Sequence, residues 1–60
     1  MKVILATNGD VDVDNKIVGY WERLRTGSQA RINGVSAVIF RKTQRDLRDA
    51  IASELAARAK

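Results

Sequence analysis

The sequence predicts an α+β domain, a small antiparallel β-meander of three to five short strands packed against one C-terminal α-helix over residues 43–59. Three observations carry this reading. The last third of the chain has helical periodicity with no Gly or Pro. Asn8-Gly9 and Asn33-Gly34 each punctuate β-prone runs, as hairpin turns do. Val11-Asp12-Val13-Asp14 alternates apolar and acidic residues, the pattern of a strand with one wet face.

The helix is the best-marked element. Thr43 is placed to cap it, and Asp46, three residues on, completes a capping-box variant. Asp46 and Asp49 near the start and Arg58 and Lys60 at the end complement the helix dipole, and Arg45/Asp49 and Glu54/Arg58 are spaced as i,i+4 pairs. Leu47, Ala50, Ile51 and Leu55 form one apolar stripe, the predicted core face. Ala52, Ala56 and Ala59 extend one flank of it. They read either as residues chosen for helix propensity or as the contact face of a homodimer, and they are the candidate partner interface.

From the N-terminus, Val3 to Ala6 is expected to form a strand that turns at Asn8-Gly9 into Val11–Asp14. Asp10-x-Asp12-x-Asp14 has the carboxylate spacing that opens a calcium loop, but Asn15 stands where that loop needs Gly and Trp21 where it needs Glu. The acidic run is therefore read as an edge strand whose carboxylates block aggregation, with no metal site and no cofactor assigned. Lys16 to Arg25 is read as a strand on the propensities of Ile17, Val18, Tyr20 and Trp21. The spacing of residues 17, 20, 21 and 24 leaves a βαβα alternative open, with a helix near 14–26. The chain is then expected to turn through Thr26-Gly27-Ser28 into Ala30–Ile32, and again at Asn33-Gly34 into a strand from Ser36 to Phe40. The Val38-Ile39-Phe40 run of that strand reads as buried on both faces.

Sixty residues make a single domain, 1–60, close to the size below which a core needs outside support, and oligomerisation is a common form of it. With no Cys and no His, the chain has no disulfides, none of the usual zinc ligands and none of the Cys- or His-based catalytic arrangements. No phosphate-binding glycine loop occurs either, so the expectation is a protein that is not an enzyme. The apolar run at Met1–Ala6 has neither the length of a membrane span nor a cleavage pattern behind it, and a cytoplasmic location without membrane contact is expected.

The net charge of +4 is unevenly spread: residues 1–15 carry −2, residues 16–48 carry +6 and residues 49–60 balance. A basic middle section suits a phosphate backbone. Arg23, Arg25, Arg31, Arg41 and Lys42 are the candidate nucleic-acid-binding residues, with Tyr20 available for stacking and Trp21 expected in the core. The expected function is a small basic module that holds DNA or RNA through phosphates, as a homodimer. The alternative is a phage-type structural, assembly or regulatory protein acting through protein contacts.

Parts of the chain resemble known families. Thr7-Asn8-Gly9-Asp10, Tyr20-Trp21 and Arg45-Asp46-Leu47 with Ala50-Ile51 resemble the first half of a ribonuclease H domain, although Asn8 stands where that family carries a catalytic Asp. Tyr20 to Ala50 is similar in outline to the sheet-plus-helix DNA-binding domains of phage integrase arms and certain plant transcription factors, which implies a sheet face in the major groove and nominates Arg23, Arg25 and Arg31. Leu24-Arg25-Thr26-Gly27, Asp46-Leu47, Ile51-Ala52 and Glu54-Leu55 resemble small phage head–tail joining proteins, which implies the helical alternative and protein contacts.

Overall fold

The computed structural model describes residues 1–58. The chain runs β1 (Val3–Leu5), β2 (Asp10–Val13), β3 (Lys16–Leu24), β4 (Gly27–Ile32), β5 (Ile39–Arg41) and α1 (Gln44–Arg58). The strands form one five-stranded sheet in the order β1-β2-β3-β4-β5, every neighbouring pair antiparallel. This is the expected meander with a single C-terminal helix.

Turn chemistry explains the meander. At the β1–β2 connection the Gly9 amide donates to the Ala6 carbonyl at 3.1 Å and the Ala6 amide to the Asp10 carbonyl at 2.9 Å. Only Gly9, at φ +99°, enters the left-handed region. The turn is thus centred on Thr7-Asn8 with Gly9 after it, one residue longer than the two-residue mirror-image turn that Asn-Gly favours. Asn8 stays right-handed because its side chain is occupied, its Oδ1 accepting from the Asp10 amide at 3.1 Å. The mirror-image turn instead lies between β2 and β3, where Asp14 (φ 51°) and Asn15 (φ 70°) both take positive φ.

Several sequence expectations are corrected. Residues 16–24 form a long strand, so the helix near 14–26 does not exist; β3 is held on both edges, by β2 and by β4. The acidic β2 is an interior strand, because β1 covers its other edge. The β3–β4 turn is Arg25-Thr26, with Gly27 already paired to Leu24. Val35 to Val38 are not strand, and β5 begins only at Ile39. The Val38-Ile39-Phe40 run is not buried on both faces: β5 is an edge strand, Val38 is 43% and Phe40 40% exposed, and only Ile39 turns inward.

The core is small. Val11, Ala30, Ile32, Leu47 and Ile51 form its buried centre, with Val3, Leu5, Val18, Trp21, Val35, Ile39 and Leu55 packed around it. Leu47 and Ile51, the middle of the predicted helix stripe, are fully buried. The helix lies principally against β1, β4 and β5, which include both edges of the sheet. The sheet therefore curls around α1, and the helix shields edges that would otherwise invite pairing with another chain. Trp21 lies at the rim of the core and donates its indole N–H to the Ala6 carbonyl at 2.8 Å, pinning the β1–β2 turn.

Curling requires a bulge and a glycine. Val11 pairs with Gly19 but Asp12 with Ile17, leaving Val18 as an extra residue that bends β3. At Gly19 a Cβ would collide with the Arg31 carbonyl and come within 2.9 Å of Ile32 Cα, so β3 and β4 approach too closely there for any side chain. Gly27 is similar: its missing side chain leaves room for the Phe40 ring, whose Cζ lies 2.8 Å from where a Cβ would stand. At the helix start, Thr43 Oγ1 accepts from the Asp46 amide at 3.1 Å, the expected cap, and Glu54 pairs with Arg58 at 3.1 Å.

Two stability changes follow. Gly19→Ala is expected to cost about 1–3 kcal/mol in urea denaturation, because the obstruction is backbone and cannot rotate away. Thr43→Ala is expected to cost about 1 kcal/mol with an unchanged denaturant slope, the signature of a lost cap in an intact fold.

Candidate nucleic-acid interface

An up-and-down meander sends alternate connections to opposite ends. The β1–β2 turn, the β3–β4 turn and the β5–α1 junction all fall at one end, and the Asp14-Asn15 turn falls at the other. The first end gathers Arg23, Arg25, Arg41, Lys42 and Arg45 from separate places in the sequence. The second carries Asp14, whose carboxylate Oδ1 accepts the Lys2 amide at 2.9 Å. Lys2 and Lys16 lie at that same second end, so the first end is set apart by its concentration of cations rather than by an acidic opposite pole.

Within the basic end, Arg23, Arg25, Ser28, Lys42 and Gln44 line one hollow. Arg23 and Gln44 also line an adjoining hollow floored by Leu5 and Trp21 and edged by Thr7, Asn8, Gly9 and one acidic residue, Glu22. The two merge into a trough across the end of the sheet, at the point where α1 begins. Gln44 and Arg45 are the first residues of that helix, whose opening amides have no partner within it and carry the positive end of its dipole. Arg23, Arg25 and Lys42 are all exposed, and none forms an ion pair among the described residues.

The structure divides the five candidate basic residues. Arg23, Arg25 and Lys42 share the trough. Arg41 lines a different hollow beside Asp46 and Asp49 of α1, and its guanidinium donates to the Phe40 carbonyl at 2.6 Å. Arg31 lies on the sheet face away from the helix, directly paired with Tyr20. That face also bears Asp10, Asp12 and Glu22. Its charge is therefore net negative, and acidic side chains oppose a phosphate backbone there. Gln44 and Ser28 are trough residues that sequence reasoning missed; the position just after the Thr43 cap was the available signal for Gln44.

The acidic spacing in β2 does not assemble a cation site. Asp14 is absorbed by its turn, Asp10 Oδ2 accepts from the Asn8 side chain at 3.2 Å, and no group of three or more potential ligands clusters among the described residues. Of the proposed partner face, Ala52 is half-buried and Ala56 exposed, while Ala59 lies outside the described residues. No described helix is long and apolar enough to cross a membrane. Comparison with known proteins matches no family model, no curated protein and no solved structure.

Proposed function

We propose that this chain is a non-enzymatic nucleic-acid-binding module that grips the phosphate backbone in the trough at its basic end. The observation that carries the reading is the convergence of Arg23 and Arg25, from the β3–β4 hairpin, with Lys42, from the β5–α1 junction, on one hollow at the start of α1. Guanidinium forks and an ammonium donate to phosphate oxygens from several directions, and the opening amides of α1 that the Thr43 cap leaves free add donors without adding charge. Contacts of this kind set affinity and orientation without reading bases, so DNA and RNA compete for the same trough. A second reading, a structural or assembly component working through protein contacts, draws on the apolar side chains exposed on the sheet face away from the helix.

Fluorescence anisotropy of labelled duplex DNA, single-stranded DNA and RNA, titrated at several salt concentrations, tests the proposal. Three phosphate contacts imply a log–log salt slope of about −2.7 on duplex DNA, or about a fortyfold loss of affinity between 50 and 200 mM salt. Arg23→Ala with Arg25→Ala is expected to flatten that slope by about two, uniformly across sequences, and Arg31→Ala to leave it unchanged. Absence of binding at low salt, or an unchanged slope in the double variant, overturns the reading.

A further inference from the structure

The trough has two halves of different character. Arg23, Arg25 and Lys42 stand around one hollow, which no carboxylate lines. The adjoining hollow, about 440 Å³ in volume, sets one cation, Arg23, against one acid, Glu22, and so offers no surplus charge for a further phosphate. Its floor, made by Leu5 and Trp21, is apolar. Arg23 and Gln44 belong to both hollows, so a ligand gripped in the first continues directly into the second. The volume is in the ordinary range for a site that takes a small organic group.

The second hollow is built before anything enters it. Two hydrogen bonds fasten the β1–β2 turn that walls it to its floor: the Trp21 amide donates to the Gly9 carbonyl at 2.8 Å, and the indole N–H donates to the Ala6 carbonyl at 2.8 Å. With that N–H spent, Trp21 offers the hollow the apolar body of its ring, which is half-buried rather than closed off. Asn8 is spent as well, since its side chain donates to the Asp10 carboxylate and accepts from the Asp10 amide. The hydroxyl of Thr7 and the side-chain amide of Gln44 are left to meet the polar atoms of an occupant. Each can donate or accept, so neither selects one base over another.

The ligand chemistry that matches both hollows is an anionic group joined to a flat, uncharged group with polar edges. A nucleotide has that form, its phosphate for the cations and its base for Trp21. In a duplex each base is paired and stacked, out of reach of a hollow on a protein surface, whereas in a single strand it is free to turn in and stack on an aromatic side chain. Three cations along the trough suit successive phosphates of a strand rather than the single phosphate of a free nucleotide. We infer that the trough takes single-stranded DNA or RNA, with phosphates at Arg23, Arg25 and Lys42 and one unstacked base against Trp21 in the second hollow. This rests on the phosphate reading and adds to it the strandedness of the partner.

The test sets oligothymidylate beside a strand of the same length and charge whose residues are all abasic. Both are expected to bind with a log–log salt slope of about −2.1, the single-strand value for three phosphate contacts. Oligothymidylate is expected to bind about five- to a hundredfold tighter at every salt concentration, the gain from one stacked base. Trp21 is the chain's one tryptophan, so its intrinsic fluorescence reports on this hollow directly. Oligothymidylate is expected to quench it, and neither the abasic strand nor a duplex of the same length to do so. Trp21→Leu is expected to abolish the preference for oligothymidylate and to keep the salt slope; circular dichroism checks its fold, and the wild-type quenching decides the matter if it unfolds. Thymidine monophosphate at equal nucleotide concentration is expected not to displace the strand. Equal affinity for the two strands with the slope intact overturns the base site and leaves the phosphate reading standing, whereas no binding by either overturns both. Equal quenching by the abasic strand or the duplex, a folded Trp21→Leu that keeps the preference, or displacement by the monophosphate each overturns the inference as well.

Discussion

The contact on which the rest of the structure depends is that of Leu47 and Ile51 with Val11, Ala30 and Ile32. Five short strands in a meander leave two unpaired edges and one apolar face, a combination prone to intermolecular pairing. Placing the helix against β1, β4 and β5 buries the apolar face and shields both edges at once. Because the sheet must curl to meet the helix on both sides, the same contact imposes the bulge at Val18 and the tight approach at Gly19. A flat sheet would leave Leu47 and Ile51 touching only its middle.

That single contact also positions the basic end. The helix can return along the sheet only from the end at which β5 finishes, so its start falls beside the β1–β2 and β3–β4 turns. Thr43 then caps the helix at a point where Lys42 and Gln44 face Arg23 and Arg25. Cations gathered by topology repel one another, a cost that an anion held between them would relieve. Arg23, Arg25 and Lys42 are exposed and form no ion pair among the described residues.

Much of the fold was legible because local signals agreed with tertiary needs. The helix stripe, its cap and its Glu54–Arg58 pair all stand as read, and the strand propensities of residues 16–24 outweighed a competing helical spacing. What local reasoning missed depends on neighbours. Asp14-Asn15 forms the mirror-image turn although Asn-Gly is the stronger signal, because Asn8 is held right-handed by Asp10. β2 reads as an edge strand from its acids, yet its neighbours are set by the order of the meander. Of the candidate basic residues, charge alone could not separate the trough members from Arg31 and Arg41; strand parity sends Arg31 to the outer face, and proximity to Asp46 and Asp49 sets Arg41 apart.

The two sides of the sheet also divide the work that a chain of sixty residues can do. Its inner face is committed to the helix, and its basic end is too polar to add burial. The outer face places Ile4, Ile17, Tyr20 and Phe40 between charges of both signs. An outer face meant only for water would have no use for these side chains. A face meant for a phosphate backbone would not carry Asp10, Asp12 and Glu22 against a lone Arg31.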